Sequence, residues 1–120
     1  MTGRRWLLVL GLCWPTAAVA DLDAGEAAYA RGNYATALKE FRHAAEQGYA
    51  GAQYNLGVMY YFGEGVSVNS IKAYMWWSLA MEQGNESATK NLNIIKEEMN
   101  SAEISIAQEL ASEMWEQINN

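Results

Sequence analysis

From residue 21 onward, apolar positions recur with a helical period rather than a strand-like one. Ala37, Phe41, Ala44 and Ala45 stand at i, i+4, i+7 and i+8, and Ala52, Leu56 and Met59 or Tyr60 follow the same spacing. Such sets fall on one face of a helix. Gly32-Asn33, Gly48, Gly63-Glu64-Gly65 and Gly84-Asn85 interrupt the pattern, each at a point where a turn residue ends a helix cheaply. Pro15 is the single proline, so no later helix is broken that way. The pattern predicts helices near 22–31, 34–47, 51–62, 69–83, 85–99 and 101–118. They pair as antiparallel hairpins over about 22–47, 51–83 and 85–118. The last helix opens Asn100-Ser101-Ala102-Glu103, a cap residue with an acid three positions on. Its apolar stripe is Ile104, Ala107, Ala111, Met114 or Trp115, and Ile118, with Glu109, Glu113 and Glu116 on the other side.

The same segments repeat. Glu46-Gln47-Gly48 returns as Glu82-Gln83-Gly84; Ala37, Phe41 and Ala44 return as Ala73, Trp77 and Ala80; Ala52, Asn55 and Leu56 return as Ala88, Asn91 and Leu92. One shift of 36 residues produces all of these matches, and a period of that size marks a helical solenoid. The last helix, wet on one face and apolar on the other, suits the end of such an array.

The first twenty residues follow another logic. Arg4 and Arg5 precede the apolar run Trp6–Trp14, Pro15 breaks it, and Ala18-Val19-Ala20 offers small residues for signal peptidase. Residues 1–20 are therefore expected to be a signal peptide cleaved after Ala20. The run is too short for a membrane span, which takes about 20 apolar residues. Bulky Leu12 before Cys13 is unlike a lipidation site. A periplasmic or secreted product of residues 21–120 is expected, without an integral span once cleaved.

Charge narrows the partners. Arg4 and Arg5 are two of the eight basic residues, so residues 21–120 keep six against fourteen acidic side chains, a formal charge of −8. That argues against nucleic acid and against anionic membrane surfaces. Cys13 lies in the leader, so the product has no cysteine; one cysteine and one histidine in the whole chain are too few for a zinc site. No cofactor or metal is expected. His43, between Arg42 and Ala44, has no Ser, Cys or Asp near it in sequence, and Ser67, Ser70 and Ser101 lack a nucleophile-elbow context. Glu97, Glu98, Glu113 and Glu116 read as the polar faces of the final hairpin. No catalytic residue is assigned.

Ala52, Leu56-Gly57, Tyr60, Gly63-x-Gly65-Val66, Asn69, Ala73, Trp76-Trp77, Ala80 and Gly84 together resemble a complete Sel-one-like repeat (SLR), a subclass of the tetratricopeptide superfamily. Ala28-Tyr29, Gly32-Asn33-Tyr34, Ala37, Phe41 and Ala44 resemble an ordinary tetratricopeptide hairpin with a shorter turn. Beyond Ala88 the match decays, with Asn93 in place of a glycine and Lys96 in place of a tyrosine. The resemblance implies an all-α, short right-handed solenoid of about three antiparallel hairpins with a C-terminal capping helix. Gly57, Ala44 and Ala80 are expected to let helices approach closely, and Phe41, Tyr60 and Trp77 to fill the gaps between hairpins.

In that geometry the first helix of each hairpin lines a concave groove. Tyr54, Val58 and Tyr61, at i, i+4 and i+7 on a face separate from Ala52, Leu56 and Tyr60, then point into it. Tyr29, Lys90, Ile94 and Glu97 extend the surface. The binding candidates are Tyr29, Tyr54, Val58, Tyr61 and Trp76, with two alternatives open: tyrosines packed between hairpins, and Trp76 as a packing residue. Gln53 and Asn55 are candidate hydrogen-bonding partners for a peptide backbone. The implied function is a non-enzymatic protein- or peptide-binding module of the bacterial envelope, an adaptor, regulator or inhibitor, monomeric or weakly self-associating. Two alternatives stand beside it. One is an envelope hydrolase acting on cell wall or β-lactam, although the family's cysteine-rich pattern and a Ser-x-x-Lys motif are both missing. The other is a structural subunit stacked on another repeat protein.

Overall fold

The computed structural model describes residues 18–120, and these form six helices and no strand. Helix α1 covers 18–30, α2 Tyr34–Glu46, α3 Ala50–Phe62, α4 Ser70–Glu82, α5 Glu86–Glu98 and α6 Ser101–Asn119. Five of the six expected spans agree to within a residue at each end. The first differs: it is helical from Ala18, because Ala18-Val19-Ala20 contains no breaker and simply continues into α1. The cationic start, the apolar run and Pro15 lie outside the described residues.

Asparagine starts four of the helices. The side chains of Asn33, Asn69, Asn85 and Asn100 accept from the backbone N–H of Thr36, Lys72, Ala88 and Glu103, satisfying a donor that has no partner inside the helix. At Asn100 the bond is reciprocal, since the Glu103 carboxylate accepts from the Asn100 N–H at 3.0 Å, a complete capping box. The repeated Glu-Gln-Gly ends behave alike. The N–H of Tyr49 donates to the Ala44 carbonyl at 3.2 Å, and that of Asn85 to the Ala80 carbonyl at 3.1 Å.

Residues related by 36 positions share their burial. Ala37 and Ala73, Phe41 and Trp77, Ala44 and Ala80, Ala52 and Ala88, and Leu56 and Leu92 are all core residues. Helix α4 is the centre of the array, packed against α3, α5 and α6. It buries Ala73 through Trp77 without interruption, then Leu79 and Ala80. Helix α6 lies across α4 with Ala107 fully buried and Ile104, Leu110, Ala111, Met114 and Ile118 against the core. Met114, not the exposed Trp115, completes its stripe. The end of α6 reaches the α2–α3 turn, where a Cβ on Gly48 would stand 3.3 Å from Cγ2 of Ile118.

Phe41 and Trp77 each pack against the facing helix of their own hairpin, and Trp77 also reaches the gap before α5. A Cβ on Gly25 would meet the Phe41 ring at 2.5 Å, and one on Gly57 would overlap the Trp77 indole, with Cε2 at 2.7 Å. Trp77 also donates its Nε1–H to the Tyr54 carbonyl at 3.0 Å. The turn after α3, 63–69, is four residues longer than 31–33 after α1. Helix α1 therefore corresponds to α3 at a shift of 32 (Gly25 with Gly57, Tyr29 with Tyr61), although α2 corresponds to α4, and α3 to α5, at 36. The longer turn lies on the start of α2. Gly65 has φ 72° and sits so close that a Cβ would be 2.9 Å from the Tyr34 backbone, so both the backbone conformation and the space require glycine there.

Candidate functional site

Tyr54, Val58 and Tyr61 of α3 line one cavity of about 310 Å³, together with Phe62, Trp77, Asn91 and Ile94. Their spacing puts them on the α3 face that turns away from the Leu56 core stripe. All three are half-buried. The wall is mainly apolar, and its rim holds two water-exposed large hydrophobics, Phe62 at 65% and Ile94 at 55%. Phe62 meets the Tyr61 ring edge-on with centroids 5.0 Å apart, and Trp77 meets Tyr61 at 5.6 Å.

Two carboxylates hold the tyrosines in place. The Tyr61 hydroxyl donates to both oxygens of Glu98 at 2.9 Å, and the Tyr29 hydroxyl to those of Glu64 at 2.8 and 3.0 Å. Each bond ties one first helix to the next hairpin unit. Burial, followed by the Glu64 hydrogen bond, pushes the Tyr29 phenol from 10 up to about 12. The Glu98 hydrogen bond is the main cause of a rise at Tyr61. Tyr29 also contacts Tyr34 and Phe41, with centroids 5.1 and 6.5 Å apart. It stands beside the groove as the α1 counterpart of Tyr61 and is not part of the cavity wall.

Two expectations need correction. Trp76 is only 4% exposed and belongs to the core, because α4 is enclosed on several sides. Gln53 is 1% exposed: its amide donates to the Ala45 carbonyl at 3.2 Å and its oxygen accepts from the Gln83 amide at 2.9 Å. It is a polar brace between hairpins and cannot receive a peptide. His43, without a Ser, Cys or Asp near it in sequence, pairs through Nδ1 with Asp21 of α1 while staying largely exposed. Sequence reasoning also missed Phe62 and Asn91. Phe62 adjoins Tyr61, and Asn91 is the 36-residue counterpart of Asn55, so the repeat itself carried that second signal.

Among the described residues, neither the histidine pair nor the one bonded serine hydroxyl resembles a hydrolytic site. His43 pairs with Asp21, while the Ser78 hydroxyl donates to the Tyr74 carbonyl at 2.8 Å; neither is a nucleophile–base pair. Among the described residues no group of three or more His, Cys, Asp or Glu side chains is placed to hold a metal ion. None of the described helices is long and apolar enough to cross a membrane.

The comparisons with known proteins agree with this architecture. The Sel1 repeat family model matches residues 50–85, which run from α3 through the turn after α4. An "Exopolysaccharide production negative regulator" of Rhizobium meliloti is 34% identical over 67 residues, 56% of this chain and 25% of the relative. A protein of the same description from Rhizobium leguminosarum is 33% identical over 67 residues, again 25% of its length. An uncharacterized protein of Neisseria meningitidis is 59% identical over 34 residues, 28% of this chain and 7% of the relative. Among solved structures, a protective antigen of uropathogenic Escherichia coli displaying an SLR fold superposes with a TM-score of 0.79 at 29% identity, covering 84% of this chain and 23% of that one. The chain thus spans a quarter or less of the length of each of these proteins. Residues 50–85 are a Sel1 repeat, and the chain folds as a helical solenoid of the SLR type.

Proposed function

We propose that this protein is a non-enzymatic binding module of the bacterial envelope, and that the α3–α5 groove receives a protein or extended peptide. The observation that carries this reading is the cavity between Tyr54, Val58, Tyr61 and Ile94 with Phe62 and Ile94 exposed at its rim. Half-buried phenols are rigid amphipathic contacts with little entropy to lose, and apolar side chains left at a groove's edge gain by being covered. The leader-like residues 1–20 support an address beyond the inner membrane. A relative described as a negative regulator of exopolysaccharide production supports a regulatory role. Stacking on a second solenoid has weaker support, because Val19 is the one large hydrophobic residue exposed on the described part of α1.

Capture from bacterial envelope extract tests the proposal. The tagged chain is compared with a Tyr54→Ala/Tyr61→Ala form and with Ile94→Glu, all matched for helicity. A protein retained by the wild type and lost from both variants is the expected result. Equal retention by all three would move the site to another face. No retention by any of them would leave the module reading without support.

A further inference from the structure

A second and larger cavity, about 520 Å³, opens between α4 and α6. It shares no residue with the α3–α5 groove. Its two walls run in step: Tyr74, Ser78 and Glu82 on α4 are matched 34 residues later by Gln108, Ser112 and Glu116 on α6. The Gln108 amide bridges one end by donating to the Tyr74 hydroxyl at 3.2 Å. At the other end stand Glu82, Glu116 and the Trp115 indole, which is 40% exposed. Leu79 and Ala111 supply apolar surface between the ends.

The unused chemistry of this trough is one-sided. Ser78 already donates to the Tyr74 carbonyl, and the Gln108 amide is engaged with Tyr74. The free polar groups at the open end are the two carboxylates, which only accept hydrogen bonds. Glu82 is also the last residue of α4, at the negative end of the helix dipole. Cations usually compensate such an end, yet neither α4 nor α6 has a basic residue in its last turn. Helix α6 has no Lys or Arg at all and adds Glu109 and Glu113 nearby; on α4 the lone base, Lys72, is a first-turn residue lying over the Tyr60 ring. The charge complement of this end is a cation on an apolar stem.

We propose that the α4–α6 trough is a second docking site, which takes a lysine or arginine side chain of a protein partner. The methylene stem lies along Leu79 and Ala111, and the cationic head sits against the Trp115 indole between Glu82 and Glu116. Burial of the stem, the ring quadrupole and the two carboxylates act on one side chain together.

Proton–nitrogen correlation spectra of the uniformly labelled full chain test this directly. The Trp115 indole signal is identified by its loss in Trp115→Phe. The probes are acetyl-Ala-Arg-Ala-amide and its neutral norleucine counterpart. The arginine peptide is expected to shift the Trp115 signal saturably, to leave the Trp77 signal of the α3–α5 groove in place, and to bind roughly three- to tenfold more weakly to Glu82→Gln/Glu116→Gln. Both glutamates are exposed, so that variant should keep its helicity, which circular dichroism checks. The proposal is overturned by an equal response to norleucine, by a response confined to Trp77, by affinity unchanged in the double variant, or by no response at all.

Discussion

The phenol of Tyr61 donates to both carboxylate oxygens of Glu98, fastening the end of α3 to the end of α5. Tyr29 and Glu64 make the equivalent bond one unit earlier. In each pair the neutral phenol is the donor, so ionisation removes the bond and sets two negative charges together. The folded form therefore resists ionisation. For Tyr29, stability from this source is complete below the ordinary tyrosine value of 10 and is lost as pH rises through about 12. Thermal unfolding followed between pH 10 and 12 should show a smaller alkaline decline in Tyr29→Phe than in the wild type. In spectroscopic titration the same variant should lose the latest tyrosinate component. Identical alkaline profiles for the two proteins would refute the assignment.

Gly57 faces the Trp77 indole at contact distance. Alanine there gains helix propensity of about 1 kcal/mol, yet its methyl would push Trp77 away from the Tyr54 carbonyl. Overpacking of this kind costs about 1–3 kcal/mol, so Gly57→Ala should be net destabilised and Gly57→Leu more so. Urea unfolding midpoints measure the order; a stabilised alanine variant would show that Trp77 moves freely.

Gln53 braces three elements with one amide, reaching the Ala45 carbonyl and the Gln83 side chain. Gln53→Leu keeps the volume and removes both bonds, but the Ala45 carbonyl still receives the Gly48 N–H at 3.0 Å and Gln83 can turn to water. A loss of about 1 kcal/mol is expected from chemical denaturation. A loss several times larger would mean that the brace sets the hairpin geometry rather than merely supporting it.

Asn100→Ala removes the side-chain half of the α6 capping box and should destabilise the chain by about 1 kcal/mol. Amide exchange should rise first at Ser101–Ile104 and then along α6. Exchange that rises instead at α2 would contradict a local capping effect.

Much of the architecture was legible in the sequence because each unit writes its rules twice. Ala37 and Ala73, or Gly48 and Gly84, do the same work 36 residues apart, and asparagine marks helix starts with its own side chain. The α3 face carrying Tyr54, Val58 and Tyr61 could be read by helical spacing alone. What escaped depended on neighbours. Trp76 looks like a surface candidate only if α4 has one buried stripe, but α3, α5 and α6 enclose it, and five consecutive residues are buried. Gln53 reads as polar and exposed until Gln83 and the Ala45 carbonyl are brought to it. The His43–Asp21 pair joins residues 22 apart on two helices, a distance over which spacing says nothing. The four extra residues of the 63–69 turn put α1 and α3 in correspondence at 32, and so the match between Tyr29 and Tyr61 is invisible at the 36-residue period of the other helices.

In most repeat arrays each unit speaks only to the next, and such chains can melt from an end inward. Here Ile118, two residues from the C-terminus, rests on Gly48 in the turn between the first and second hairpins. Peeling away the final helix therefore strips cover from a turn beyond its neighbouring hairpin, and the loss of α6 is felt further along the array than nearest-neighbour stacking alone would carry it.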